Sequence, residues 1–170
     1  MRDSDDLDNN PHVSRSALEA MHGQVFGWAL SRCDFEQAVA EDLVQQAYVE
    51  LLTGRARFDG ESSLKTFVFA VVQNLSRNRY RRMATRLRLL QKAGSEPGAD
   101  VAEPAELREH TALWKAVQEL PARQRDIIEL MFCRDMTIEE ASSVMGVTTG
   151  TGRVHYDRAK KTLKGRLAND

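Results

Sequence analysis

Amide and guanidinium side chains recur at helical spacing in the middle of this chain. Asn74 and Asn78 are four residues apart, so an α-helix places them on one stripe, with Arg77 and Arg81 beside them. Amide groups can hydrogen-bond to base edges, while guanidinium groups hold phosphates. The spacing therefore predicts a helix face that contacts nucleic acid. The simpler interpretation is a solvated basic face.

Two aromatic residues stand just upstream of that segment. Phe58 lies in a predicted loop between Arg57 and Gly60, and Phe67 lies near the start of the predicted helix. Aromatic rings provide stacking platforms for unpaired bases. Phe58 and Phe67 are therefore candidates for receiving an unstacked base. The competing interpretation is that both belong to the hydrophobic core.

A second candidate site lies near the end of the chain, where cap and turn signals occur in order. Thr137 followed by Glu140 is a capping-box pattern. Gly146 stands where a tight turn needs a left-handed residue. Thr148 or Thr149 then predicts the cap of a further helix. The order predicts a helix-turn-helix, against the alternative of an ordinary helical hairpin with a basic outer face.

The helix after this turn is strongly basic. From Arg153 to Arg166 it carries six Lys or Arg residues and one acid, Asp157, which suits a helix that enters the major groove. A glycine inside a helix costs about 1 kcal/mol relative to alanine, so Gly152 predicts a locally soft start. The predicted inner stripe consists of Gly152, Tyr156, Ala159, Leu163 and Leu167.

The charges are segregated along the chain, although its formal net charge is only -1. Residues 65–92 contain eight Lys or Arg and no acid, whereas residues 34–61 contain seven acids and two Arg. Such blocks predict one kind of surface for phosphate and another for a basic protein face.

The chain shows no sign of a metal site, a membrane span or a secretion signal. Cys33 and Cys133 are isolated from each other and from metal-binding motifs, so they are expected to be reduced thiols. The first residues are polar and acidic, and no apolar run approaches the length that a bilayer requires. We therefore expect a cytoplasmic protein without membrane insertion.

The apolar periodicity is helical throughout, and one segment interrupts it. Residues 94–106 hold two of the four prolines, two glycines and four acids, a composition typical of a linker. We predict an all-α protein of two small helical domains joined by an acidic flexible linker. The predicted domains are 12–92 and 107–168, the linker is 93–106, and the second domain carries the helix-turn-helix.

Catalytic motifs are missing from the sequence. It contains no paired carboxylates at catalytic spacing in a basic setting, no phosphate-binding GxxxxGK[ST] loop and no zinc-deaminase signature. The prediction is a binding protein with no catalytic residues and no cofactor, rather than an enzyme that acts on nucleic acid.

Taken together, these segments resemble the extracytoplasmic-function class of bacterial RNA polymerase sigma factors, from about Ser14 to Leu167. AEDLVQQAYVELL resembles the helix that binds core polymerase, and RFDGESSLKTFVFAVVQNLSRNRYRR resembles the segment that melts and reads the −10 element. LPARQRDIIELMF and MTIEEASSVMGVTTGTGRVHYDRAKKTL resemble the domain that reads the −35 element. Each match is modest, but three in this order are specific.

The resemblance implies roles for individual residues. Core polymerase would be bound by Glu41, Asp42, Gln45 and Gln46. The −10 element would be contacted by Phe58, Phe67, Asn74, Arg77, Asn78 and Arg81. The −35 element would be contacted by Thr151, Arg153, His155, Asp157, Arg158 and Lys161.

The implied partners are core RNA polymerase, promoter DNA and an anti-sigma protein or another signal-gated inhibitor. The alternative function is a free-standing helix-turn-helix regulator that binds duplex DNA by itself. Such a regulator needs neither the upstream Asn/Arg/aromatic helix nor the acidic docking helix, so these two elements favour the sigma factor.

Overall fold

The computed structural model describes residues 13–94 and 112–168 of the chain. These residues belong to two compact units, which meet in sequence after Ala105. All regular secondary structure within the described ranges is helical. The predicted all-α class, with two helical domains and a helix-turn-helix in the second, is confirmed. Most of the predicted linker lies outside the described residues.

The described part of the first unit contains three helices, and serine caps fix the start of two of them. Ser14 Oγ accepts a hydrogen bond from the backbone N–H of Ala17, and Ser63 Oγ accepts one from Thr66, both at 3.1 Å. Each bond satisfies a donor that the helix itself leaves unpaired. The helices are α1 (Arg15–Arg32), α2 (Gln37–Leu52) and α3 (Leu64–Lys92).

Trp28 holds α1 against α3 at the centre of this unit. Its ring is fully buried and stacks on Phe69, with ring centroids 6.0 Å apart and planes inclined by 20°. Trp28 Nε1–H also donates to the backbone oxygen of Phe69 at 3.3 Å. The guanidinium of Arg32 lies 4.1 Å from the indole centroid. Because these contacts involve both ring and backbone, they fix which face of α3 points inward.

Only the first half of α3 is buried. The helix has 29 residues, and the last of its buried residues is Gln73. From Asn78 to Leu89 every residue except Ala84 is exposed. The second half of α3 therefore extends beyond the packed part of this unit.

Between residues 112 and 168, the second unit contains four helices and one π-helical turn. The turn, Glu129–Cys133, directly follows the second of the helices. It buries the carboxylate of Glu129, which pairs with Arg134 Nη2 at 3.3 Å. The helices are α4 (Ala112–Gln118), α5 (Ala122–Ile128), α6 (Ile138–Met145) and α7 (Thr149–Leu167).

The predicted helix-turn-helix signals are confirmed between α6 and α7. The Thr137 hydroxyl accepts from the N–H of Glu140 at 3.2 Å, and the Glu140 carboxylate accepts from the N–H of Thr137 at 2.8 Å. Gly146 is left-handed with φ 66°. Thr148, rather than Thr149, caps α7 by accepting from the N–H of Thr151 at 3.2 Å.

Two arginines of α5 donate hydrogen bonds to backbone carbonyls at the C-terminal ends of other helices. Arg123 Nη1 donates to the carbonyl of Met145, the last residue of α6, at 3.2 Å. Arg125 Nη1 donates in the same way to the carbonyl of Gln118, the last residue of α4, at 2.9 Å. Cations at helix C-termini satisfy free carbonyls and complement the helix dipole. These two bonds hold α5 against the ends of its neighbours.

The packing of α7 on α6 explains why glycine stands at position 152, whereas the expected softness of the helix start stays a prediction. Gly152 is buried, and a Cβ added there would overlap Ser142 Oγ and lie 3.1 Å from Ser142 Cβ. Ser142 Oγ is itself held by a 2.6 Å hydrogen bond to the carbonyl of Ile138. Gly152 thus allows α7 to approach α6 closely, and there is no void for a larger side chain to fill. The rest of the predicted inner stripe is buried or half-buried, except Leu167 at the exposed end of the helix.

We expect Gly152→Ala to lower the free energy of unfolding by about 1–3 kcal/mol, the usual cost of overpacking, although alanine is the better helix former. Ser142→Ala should remove most of this penalty because it deletes the overlapping oxygen. Thermal unfolding of both single variants and the double variant, followed by circular dichroism, measures the coupling.

The matched control for this cycle is Gly165→Ala. It lies in the same helix, and its added Cβ would meet nothing within 4 Å. It should raise the free energy of unfolding by up to about 1 kcal/mol. Equal responses at Gly152 and Gly165 would show that close packing against Ser142 has no energetic consequence.

Candidate nucleic-acid interface

In the first unit, the predicted amide and guanidinium residues share the outer face of α3. Asn74, Asn78 and Arg81 are exposed, whereas Arg77 is half-buried at the edge of this face. Their position follows from the burial of Phe69, since residues on the opposite side of the same helix must face solvent. The structure therefore brings both amides and the exposed guanidinium of Arg81 onto a single accessible stripe.

The two predicted aromatics are in contact with each other. Phe58 and Phe67 have ring centroids 5.3 Å apart, with planes inclined by 43°, and both rings are half-buried. This arrangement combines the two interpretations weighed from the sequence. Each ring packs against protein on one side and remains partly open to solvent, so Phe58 can still offer a surface to a base.

Local hydrogen bonds shape the loop that carries Phe58. The N–H of Ala56 donates to the carbonyl of Glu50 at 2.8 Å, which ties the loop to the end of α2. On the other side of Phe58, the carboxylate of Asp59 accepts from the N–H of Glu61 at 3.1 Å. Gly60 between them is left-handed, with φ 80°. The loop thus holds the aromatic by short-range bonds at both ends.

The predicted polymerase-binding residues form one exposed face of α2. Glu41, Asp42, Gln45 and Gln46 are all exposed, because the buried positions of this helix face α1 and α3. Glu41 and Gln45 also border a groove whose far side is formed by aromatic residues of α1 and α2. Its aromatic wall consists of His22, Phe26 and Tyr48.

The groove wall is internally bonded. His22 Nδ1 and Tyr48 Oη lie 3.2 Å apart, and Tyr48 Oη–H donates to the carbonyl of Leu18 at 3.4 Å. Burial raises the pKa of the Tyr48 hydroxyl above its usual value, so it remains a neutral donor. Sequence reasoning did not select these aromatics, because their proximity depends on the packing of α1 on α2.

In the second unit, the predicted −35 residues lie along the outer side of α7, with one partial exception. Arg153, Asp157, Arg158 and Lys161 are exposed, as is Thr151 in the capped first turn. His155 is half-buried at the edge of this surface. The face is therefore mostly basic and accessible, while His155 has less surface to offer.

Two of these side chains, Arg153 and Asp157, take part in ion pairs within the unit. Arg153 Nη2 lies 3.5 Å from Glu139 Oε1 on α6, and Lys160 Nζ lies 3.6 Å from Asp157 Oδ1. All four side chains are more than half exposed, and exposed pairs of this kind contribute about 0–1 kcal/mol. A ligand phosphate or base can therefore replace Glu139 at little cost.

Sequence reasoning missed Val154, which lies at the centre of the exposed face of α7. Its side chain is 46 % exposed although it is aliphatic. Helical periodicity alone could have located it, since it stands seven residues before Lys161 and five before the buried Ala159. An exposed aliphatic group among these polar side chains has the chemistry to contact a thymine methyl.

Neither cysteine has the properties of a reactive thiol. Burial raises the pKa of the Cys33 and Cys133 thiols, which keeps both protonated and weakly nucleophilic. Within residues 13–94 and 112–168, no cluster of His, Cys, Asp and Glu could hold a metal ion. No helix in those ranges is long and apolar enough to cross a membrane.

Comparisons with known protein families agree with this geometry. Sigma-70 region 2 matches residues 17–86, and sigma-70 region 4 matches residues 110–163. The first match contains the amide face of α3, and the second contains the helix-turn-helix. The chain belongs to the sigma-70 family, in its extracytoplasmic-function class. It is an RNA polymerase sigma factor that directs transcription initiation at specific promoters, which confirms the function predicted from the sequence.

Individual relatives cover most of the chain. It is 28 % identical over 134 residues to the ECF RNA polymerase sigma factor EcfG of Rhodopseudomonas palustris, covering 77 % of this chain and 72 % of that protein. It is 25 % identical over 162 residues to the ECF RNA polymerase sigma factor SigF of Caulobacter vibrioides, covering 95 % and 89 %.

Two solved structures share the fold. The sigma factor RpoE from Bartonella quintana, in complex with the anti-sigma factor NepR, superposes with a TM-score of 0.66 at 26 % identity, covering 92 % of this chain and 97 % of that one. CnrH, in complex with the cytosolic domain of CnrY, superposes with a TM-score of 0.60 at 22 % identity, covering 91 % and 88 %. The second likeness concerns the fold alone.

The Arg153–Glu139 pair yields a prediction about DNA binding. Glu139→Gln should raise the affinity of the reconstituted holoenzyme for a −35 duplex by about two- to fivefold at low salt, because an exposed pair is worth at most ~1 kcal/mol and a repulsive charge is removed. Fluorescence anisotropy measures the change.

Glu119→Gln is the matched control. It removes the same charge from the same unit, but Glu119 pairs with Arg166, which is not among the residues predicted to contact the −35 element. Its effect should be smaller than that of Glu139→Gln. Identical gains from both variants would assign the effect to net charge and not to the release of Arg153.

Proposed function

We propose that the sigma activity of this chain is divided among three helix faces. The exposed face of α2, formed by Glu41, Asp42, Gln45 and Gln46, docks on core RNA polymerase. The outer face of α3, with Phe58 and Phe67 at its start, melts and reads the −10 element. The outer face of α7 reads the −35 element. The observation that carries the proposal is the presence of two chemically distinct exposed faces, one of amide, guanidinium and aromatic groups on the first unit and one mostly basic on the second.

The chemistry of the two DNA faces supports different tasks. The α3 face combines amides with a partly open aromatic pair, which suits bases that have left the duplex. We assign Asn74 and Asn78 to −10 bases, Arg77 and Arg81 to the backbone, and Phe58 to a flipped base. The α7 face instead presents the start of a capped basic helix, the usual geometry for reading a major groove.

Core polymerase is needed because strand opening is uphill. Flipping a base out of the stack costs a few kcal/mol, and the α3 face alone offers a small contact area. We therefore expect the isolated chain to bind promoter duplex weakly and to open it only within the holoenzyme. The protein acts as a dissociable specificity subunit in the cytoplasm and performs no catalysis itself.

An anti-sigma protein is the proposed inhibitor. The sigma factor RpoE was solved in complex with the anti-sigma factor NepR, and this chain shares its fold. A protein of this kind would keep the chain from core polymerase until a signal releases it.

The first test is titration of fluorescently labelled chain with sigma-free core polymerase at moderate salt. Saturable nanomolar binding is expected. The double variant Glu41→Lys/Asp42→Lys should bind at least tenfold more weakly, a loss of about 1.4 kcal/mol, because it reverses the charge of the docking face. Glu19→Lys, which changes an exposed acid of α1, is the control and should bind normally. Absence of wild-type binding by a folded chain would favour a free-standing DNA regulator.

The two kinds of −10 contact should separate in open-complex assays. Asn74→Ala is expected to lose about 1–3 kcal/mol of discrimination at one −10 position, since an amide pairs with a base edge. Arg81→Ala should weaken opening at all promoters and reduce the salt slope by about one, as expected for a phosphate contact. Both variants should bind core polymerase normally. A sequence-blind loss in both would refute this division of roles.

A further inference from the structure

The buried face of α3 continues as an apolar stripe past the end of the packed unit. Phe69 and Val72 lie in the core, and later apolar residues follow at intervals of three or four along the same face. Tyr80 is 72 % exposed, Met83 53 % and Leu87 41 %. We call Tyr80, Met83, Leu87 and Leu90 the α3 stripe.

Arginines border the α3 stripe on both sides. At 3.6 residues per turn, Arg82 and Arg86 lie on one side of the stripe and Arg88 on the other, whereas Arg81 belongs to the amide face. Residues 65–92 contain no acid, and Arg82, Arg86 and Arg88 make no ion pair with any residue of the described ranges. The surface is thus an apolar row with arginines on both sides.

The α3 stripe is separate from the face that we assign to DNA. Asn78 and Tyr80 are two residues apart, which places them about 200° apart around the helix. The amide face therefore points away from the stripe. Phosphates would be attracted to the arginines and a base could stack on Tyr80, but nucleic acid has no group that complements the aliphatic side chains of Met83 and Leu87 at helical spacing.

We propose that the α3 stripe is the docking site for an acidic amphipathic helix of a protein partner. Leucine-like side chains of that helix would cover Tyr80, Met83 and Leu87, and its flanking carboxylates would pair with Arg82, Arg86 and Arg88. A second copy of this chain fits poorly, because it would bring arginines against arginines. The proposal rests on the proposed function only in assigning the opposite face of α3 to DNA.

This placement has a regulatory consequence. A helix bound to the α3 stripe leaves Asn74 and Asn78 uncovered, so the partner and single-stranded −10 DNA can occupy α3 together. The partner would thus act on the DNA-engaged form of the protein and would not simply block the reading face.

The test uses the full chain and a synthetic acidic peptide as the probe. The fluorescent peptide has leucines spaced three and four residues apart, with glutamates beside them, and a second peptide has the same composition in scrambled order. Anisotropy should show saturable binding of the patterned peptide and at least tenfold weaker binding of the scrambled one. Unlabelled single-stranded −10 DNA should not displace the patterned peptide.

Leu87 and Leu89 provide a matched pair of variants. Both are exposed leucines of α3, at 41 % and 62 %, but two residues of spacing put Leu89 outside the stripe. Leu87→Glu should reduce peptide affinity at least tenfold, and Leu89→Glu should change it less than threefold. Met83→Glu is a second stripe variant and should behave like Leu87→Glu. Circular dichroism verifies that each variant keeps its helix content.

Four results would overturn the proposal. Equal binding of both peptides would reduce the surface to a cation patch, and equal losses for Leu87→Glu and Leu89→Glu would remove the stripe from the contact. Loss of core polymerase binding in Leu87→Glu would show that polymerase covers the stripe. A wild-type dimer that Leu87→Glu dissociates, seen by sedimentation, would identify a second copy as the occupant. Failure of the proposed function would instead appear as the absence of core polymerase binding by the wild-type chain. The peptide-binding measurements can be interpreted independently of that result.

Discussion

The contact between Trp28 and Phe69 is the constraint on which the first unit depends. The indole stacks on the Phe69 ring and also bonds the Phe69 carbonyl at 3.3 Å, so α3 can neither rotate nor slide without breaking one of these contacts. Once that face points inward, helix geometry sends Asn74 and Asn78 outward. The outward position of these amides is therefore a consequence of core packing rather than of any contact among the polar residues themselves.

Close packing has the same role in the second unit, with different chemistry. Gly152 lets α7 approach the Ser142 side chain on α6, and the arginine bonds to the ends of α4 and α6 fix α5 beside them. The residues that we propose to read the −35 element follow directly after Gly152 in the chain. Small changes in the α6–α7 distance would therefore move Arg153 and Val154 relative to any bound groove.

The polar residues that we propose for function contribute little to the stability of the fold. The exposed faces of α2, α3 and α7 contribute little to burial, and the ion pairs they make are solvent-exposed and weak. DNA and protein partners can therefore replace these contacts without destabilising either unit. The α3 stripe differs, because apolar surface left in water favours any partner that covers it.

The sequence by itself determined the helical class, the order of the two units and the local signals of the helix-turn-helix. The capping box at Thr137, the left-handed Gly146 and the Asn74/Asn78 spacing depend on neighbours within a few residues. Only the tertiary structure decided the outcome at Gly152, the engagement of Arg153 by Glu139 and the uncovered α3 stripe. Each of these depends on which side chain from elsewhere in the fold, if any, lies opposite. The spacing of residues along one helix carries no information about that neighbour.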